Sequence, residues 1–169
     1  LTLKDGKLYG MTYSGGTSGY GVIFEWDPVN NNYTKKLDFN GTNGAFPGSS
    51  LTLKDGKLYG MTYSGGGNDR GVIFEWDPAT NTYTKKLDFN GGTNGSSPRS
   101  SLTLKDGKLY GMTYNGGDYN NGVIFEWDPV ANTYNKKQDF NGMNGKNSSS
   151  NLTLKDGKLY GMTYSGGTS

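Results

Sequence analysis

Cysteine and histidine are both missing from these 169 residues. Their absence removes disulfides, thiolate nucleophiles, zinc–thiolate centres and imidazole metal ligands together. Ser-His-Asp and Cys-His catalytic arrangements go with them. A Ser-Lys pair stays formally open, but nothing singles one out. Without cysteine the redox compartment is undecided. No apolar run is long enough for a membrane span or a signal peptide. An excess of one charge is lacking too: the net charge is +2, so no basic face exists to hold nucleic acid or an anionic membrane.

What is present is repetition. LTLKDGKLYGMTY begins at Leu1, Leu51, Leu102 and Leu152, and GVIFEWDP begins at Gly21, Gly71 and Gly122. The period is therefore about 50 residues, a length typical of stacked supersecondary units. The repeats divide the chain as 1–50, 51–101, 102–151 and a partial copy at 152–169. One extra residue falls near Gly91–Gly92–Thr93, where the first copy has Gly41–Thr42. The chain starts without Met and ends inside a repeat, which reads as a piece of something longer or one link in a polymer.

Each copy reads as four short strands. Leu1–Lys4 ends at Asp5–Gly6, a dipeptide suited to a two-residue hairpin turn. Lys7–Tyr13 alternates Leu8, Gly10 and Thr12 against Tyr9, Met11 and Tyr13. A glycine-rich loop, Ser14–Gly21, follows. Val22–Asp27 sets Val22, Phe24 and Trp26 against Ile23 and Glu25. Asp27–Pro28 opens a turn through Asn32, because proline leaves the ladder and asparagine tolerates left-handed angles. Tyr33–Phe39 closes the unit, with Tyr33, Lys35, Leu37 and Phe39 expected on one face. Gly10 marks either a close approach between units or a bulge, and the sequence does not separate these.

The expected fold class is all-β: tandem four-stranded antiparallel blades, β-propeller-like, in a partial ring or an open stack. Stacking the blades face to face buries the apolar face that a lone meander leaves wet. DGKLYGMTYSGG, GVIFEWDP and NNNYTKK together resemble a kelch-type blade. They are closer to bacterial secreted propeller repeats, with a DG-x-LYG-x-T strand, a GG loop and a G-[VI]-x-F strand. Tyr33, Tyr83 and Tyr134 depart from kelch, which usually has Trp there, and the GG pair comes later. The resemblance implies an extracellular or cell-surface protein. A closed ring needs about four to eight blades, roughly 200–400 residues, so further blades or other copies of the repeat are the expected partners.

Chemistry is harder to find. Asp5, Glu25, Asp27 and Asp38 recur at equivalent places. Equivalent surroundings do not split two carboxyls into acid and base, so they read as structural. Glu25, in an apolar strand, calls for a partner, and Lys35 or Lys36 is the expected one. The Asp38–Gly44 and Asp139–Gly145 segments mimic a calcium loop but lack its bidentate acid, so neither metal nor cofactor is expected. Trp26, Trp76 and Trp127 run in phase with Val22 and Phe24 and read as core rather than as sugar platforms. Sequons such as Asn32-Tyr33-Thr34 and Asn151-Leu152-Thr153 occur, as chance allows in an Asn-rich chain.

The copies differ mainly in loops: SGGTSGYG, SGGGNDRG and NGGDYNNG between the second and third strands, and again after the fourth. Drift in unconstrained loops explains this, or else the loops bind something. On the binding reading the contact candidates are Tyr20, Asp69, Arg70, Asp118 and Tyr119. The functional expectation is a non-catalytic structural or adhesive repeat module that self-assembles. The alternative is a multivalent, lectin-like propeller that binds glycans.

Overall fold

The structure is a computed structural model and describes residues 1–168. Repeat 1 forms β1 (Thr2–Lys4), β2 (Lys7–Thr12), β3 (Val22–Asp27) and β4 (Asn32–Asp38). Repeat 2 forms β5 (Thr52–Lys54), β6 (Lys57–Met61), β7 (Val72–Asp77) and β8 (Thr82–Asp88). Repeat 3 forms β9 (Thr103–Lys105), β10 (Lys108–Met112), β11 (Val123–Asp128) and β12 (Thr133–Asp139). Each set is one antiparallel meander in chain order. The partial copy supplies β13 (Thr153–Lys155) and β14 (Lys158–Tyr160), a two-stranded sheet. The expected blade is thus observed, with the strand ends of repeat 1 within one residue of expectation, while β6 and β10 end two residues early.

The turns follow from residue chemistry. Asp5 and Gly6 both take positive φ, 49° and 75°, the mirror-image turn whose twist suits a tight hairpin. Lys4 and Lys7 pair directly across it. At the second hairpin Asn31 sits at φ 50°, while Asp27 Oδ1 accepts the amides of Val29 and Asn30.

Two expectations are corrected. Ile23 pairs with Leu37 but Phe24 pairs with Lys35, so Lys36 is an extra residue opposite the third strand. This bulge turns Leu37 onto the Ile23 face, away from Tyr33 and Lys35, and so breaks the simple alternation expected for the strand. The same bulge recurs in repeats 2 and 3. Gly10 is not a bulge, since its register with β3 is unbroken, and its nearest contacts lie within its own blade. A Cβ there would lie 2.6 Å from Phe24 Cζ and 2.7 Å from Leu1 Cδ2, both of its own blade. The phenyl ring lies across the bare glycine on the neighbouring strand, and Gly60 and Gly111 seat Phe74 and Phe125 likewise.

The chain divides into two compact units, Leu1–Asp88 and the residues from Phe89 onward. In the first, one face of blade 1 buries Tyr9, Ile23 and Phe39 against Leu51, Leu58, Val72, Phe74 and Trp76 of blade 2. Phe39 lies beyond the end of β4, yet it is fully buried and meets Phe74 edge-on at 5.6 Å. The segment after each fourth strand therefore belongs structurally to the next blade. In the second unit Phe89 meets Phe125 in the same way at 5.8 Å. Trp76 and Trp127 are buried, and each donates its indole N–H to an asparagine, Asn81 and Asn132, at 3.2 Å. A buried indole with its donor satisfied is a packing residue.

Candidate functional site

The segment after β4 clips onto the glycine loop of repeat 2 through its backbone. Ala45 and Ser64 exchange two hydrogen bonds, of 2.8 and 3.1 Å, and Gly66 N–H reaches Gly41 O at 2.7 Å. Phe46 N–H donates to Tyr20 O, and Tyr63 N–H donates to Phe46 O. These clips hold open a cleft of about 360 Å³ lined by Tyr20, Thr42, Phe46, Ser64 and Asp69 with the backbone of Gly41, Gly65 and Gly66.

Two of the five expected contact residues, Tyr20 and Asp69, thus meet in one cleft, though they come from different repeats. Tyr20 packs edge-on against Phe46 at 5.4 Å, and the half-exposed Tyr13 stacks on the same ring at 5.2 Å. Phe46 was not singled out by the sequence. It holds φ 55°, a left-handed conformation that a bulky residue rarely adopts. Ser97 and Asn147 occupy the equivalent place with φ 54° and 56°, so the backbone demands this conformation and repeat 1 meets it with an aromatic. The variable exit loop was the available signal.

Asp69 has a structural duty as well. It sits at φ 51° and its Oδ1 accepts Gly65 N–H at 2.8 Å. Its counterparts are Gly19 at φ 79° and Asn120 at φ 55°, the latter accepting Gly116 N–H at 3.0 Å. The loop differences at this position are choices among residues that tolerate left-handed angles, not free drift. Arg70 is exposed beside it. Asp118 and Tyr119 lie on the equivalent loop of repeat 3, in the other unit. There the Asp118 carboxylate pairs with Lys136 at 3.0 Å and Tyr119 is exposed. The five candidates therefore do not form one constellation within either unit.

The acidic residues sort cleanly. Asp38, Asp88 and Asp139 each accept a loop amide, from Thr17, Gly67 and Asp118, at 2.8–2.9 Å. Glu25 is held by Lys7 at 2.7 Å, Tyr9 at 2.9 Å and Lys36 at 3.4 Å. Lys36 is one of the two expected partners, while Lys35 instead pairs with Asp38 at 2.6 Å. The bulge explains this: it puts Lys36, not Lys35, on the Glu25 side. Lys7 and Tyr9, on the preceding strand, were not anticipated. The cluster recurs as Lys57, Tyr59, Glu75 and Lys86, and as Lys108, Tyr110, Glu126 and Lys137.

Hydrogen bonds from Tyr110 and Lys108 pull the Glu126 carboxyl down to about 2. At Glu25 and Glu75 burial works upward, but the same donors outweigh it and both carboxyls are lowered. The Tyr110 phenol rises to about 12, chiefly through its bond to Glu126 and then through burial. A carboxylate locked ionised between cations is unfit as a general acid near neutrality. The oxygen-rich loops close on themselves: Asn40 and Asn43 exchange amide-to-side-chain bonds, as do Asn141 and Asn144. Among the described residues no group of three or more acidic side chains is placed to hold a metal ion.

A search of curated proteins finds no match to this sequence. Among solved structures, TolB from Acinetobacter baumannii is similar, with a TM-score of 0.58 at 16% identity, over 94% of this chain and 36% of that one. A subtype N11 neuraminidase-like protein of A/flat-faced bat/Peru (H18N11) aligns over 96% of this chain and 55% of that one, at 15% identity and a TM-score of 0.47. The chain thus spans only about a third of the TolB chain, and at this identity the likeness concerns the β-propeller-like fold alone. By its sequence, matched over residues 1–169, the chain belongs to the Gloeobacter/Verrucomicrobia repeat family.

Proposed function

We propose that this chain is a non-catalytic structural or adhesive repeat module that works by docking identical blades, with other copies of the repeat as partners. The observation that carries this reading is the fate of one face in two neighbouring blades. Leu51 and Leu58 are buried in blade 2, and Leu53 and Tyr83 pack against the same core. The equivalent Leu1, Leu3 and Tyr33 of blade 1 are 65%, 63% and 55% exposed. The residues that a preceding blade covers recur in every copy, so each copy offers its neighbour the same docking surface. An extracellular or cell-surface setting belongs to the same proposal, and the resemblance to secreted bacterial propeller repeats supports it. Light scattering with electron microscopy tests the reading. Particles whose mass grows with concentration, or discrete closed rings of several chains, are expected. A strictly monomeric chain at high concentration overturns it.

A second reading rests on the cleft at the first seam. Tyr13, Phe46 and Tyr20 form an aromatic group beside the Thr42 and Ser64 hydroxyls and the Asp69 carboxylate, a combination suited to a sugar ring. A glycan array in which Tyr20→Ala abolishes every hit supports this. An array without hits removes it.

A further inference from the structure

Because the copies are so nearly alike, the places where they differ carry information. Three such positions meet in the cleft between blades 1 and 2. Tyr20 stands where the other copies have Arg70 and Asn121, and Phe46 where they have Ser97 and Asn147. Asp69 stands where they have Gly19 and Asn120. The fold itself asks for neither the rings nor the charge. Asn147 meets the left-handed angle of Phe46, which asparagine tolerates far better than phenylalanine. Asn120 meets both the angle and the amide bond of Asp69 without a charge. Strain of the kind Phe46 carries gathers at ligand clamps.

The charge is also uncompensated. Asp38 and Asp88 pair with Lys35 and Lys85, at 2.6 and 2.9 Å. Among the described residues no lysine or arginine pairs with Asp69, whose carboxylate accepts the Gly65 amide. Its neighbour Arg70 is exposed and does not line the cleft. The cleft is also held in shape. A Cβ on Gly65 would lie 2.5 Å from Gly41 O, so the two backbones that line it are packed against each other. Its 360 Å³ lies within the range of small-molecule sites, roughly 300–1,000 Å³.

We propose that this cleft binds an organic ammonium ion carried on a sugar, a unit of the 2-amino-2-deoxyhexose class. The Asp69 carboxylate takes the ammonium charge, while Tyr20 and Phe46 attract the cation through their ring electrons and cover the apolar face of the sugar. The Thr42 and Ser64 hydroxyls are placed for the sugar's own hydroxyls. The inference rests on the sugar reading of this cleft and names the charge class of the sugar.

The test is calorimetric titration of the full chain with a β-1,4-linked glucosamine trimer, in mildly acidic buffer where its amines are charged. The N-acetylated trimer, which keeps the rings and loses the charge, is the comparison. Saturable binding of the charged trimer is expected, with the acetylated one at least about tenfold weaker. Asp69→Asn and Phe46→Ser should each weaken the charged trimer at least about tenfold. Both place a residue that another copy already holds at the same backbone angle, so an unchanged thermal transition separates lost binding from misfolding. Equal affinity for the two trimers, or affinity that survives both substitutions, overturns the inference. Failure of both trimers to bind overturns it too. The sugar reading is judged separately on the glycan array: a neutral or acidic hit that Tyr20→Ala abolishes keeps that reading while the ammonium inference falls, and an array without hits removes both.

Discussion

Tyr83 Oη donates a hydrogen bond to the backbone carbonyl of Asn43, 2.5 Å away, across the seam between the first two blades. Tyr134 repeats the bond to Asn94 at 2.8 Å. The ring of Tyr83 also stacks on Phe74 at 5.2 Å, so one side chain both packs and latches the seam.

Removing only the hydroxyl isolates the latch. Tyr83→Phe should destabilise the chain by about 1 kcal/mol, since it leaves a carbonyl unpaired while the ring stays. Tyr83→Ala should cost about 3 kcal/mol, because the stacked ring is lost as well. Urea unfolding of the two variants checks both the order and the gap.

Gly60 tests the ring seat inside a blade. An added Cβ lies 2.5 Å from Phe74 Cζ, and Phe74 is fully buried with no room to retreat. Gly60→Ala should therefore cost about 1–3 kcal/mol by overpacking, although its backbone angles suit alanine. Pairing it with Phe74→Leu should recover part of the loss. Additive penalties in the double variant, measured by thermal unfolding, would count against the contact.

Acid should loosen the blades through Glu126 and its two counterparts. The Glu126 carboxyl lies at about 2 in the folded chain, below its usual 4.5. Its contribution is therefore complete above pH 4.5 and is lost as pH falls toward 2. Glu126→Gln should flatten that limb of the stability–pH curve and lower stability at neutrality. Denaturant midpoints collected from pH 7 down to the acid limit of folding decide it.

The alkaline limb has the opposite origin. Tyr9 and Tyr110 both rise to about 12, Tyr9 chiefly through burial and Tyr110 chiefly through its bond to Glu126. The unfolded chain ionises these phenols near the usual 10 while the folded chain does not. Stability should thus fall between pH 10 and 12. Phenolate absorbance that rises in step with unfolding is the expected signal, and full titration of all tyrosines near pH 10 in a folded chain is the contrary one.

Asp69 separates a structural loop residue from a contact residue. Asp69→Asn should be nearly neutral, because asparagine already serves at position 120 with the same left-handed angle and the same amide bond. Asp69→Ala should cost about 1–2 kcal/mol in backbone strain and a lost acceptor. Thermal shifts rank the pair. If Asp69→Asn instead removes glycan binding at full stability, the carboxylate itself is the contact.

Blade organisation was legible in the sequence because turn chemistry and period-two alternation agree there. Asp5–Gly6, Pro28 and Asn31 mark the reversals, and Val22, Phe24 and Trp26 mark a face. The bulge at Lys36 was not legible, since no residue type forces it and its cause is the pairing of two strands. That hidden slip is also why Lys35 and Lys36 were indistinguishable as partners for Glu25. The cleft was half legible. Tyr20 and Asp69 stand out as loop differences, but their meeting depends on one blade docking on the next. Phe46 escaped notice because nothing in NGTNGAFPGSS announces a left-handed aromatic.

The seams also bear on how such an array changes over generations. Phe39, Phe74, Tyr83 and Asn43 meet at one seam as Phe89, Phe125, Tyr134 and Asn94 meet at the next. An unequal crossover within LTLKDGKLYGMTY joins the front of one copy to the back of another and leaves each seam with its full set of partners. The array can then gain or lose whole repeats without inventing an interface, so copy number is free to vary while the contact between neighbours stays fixed.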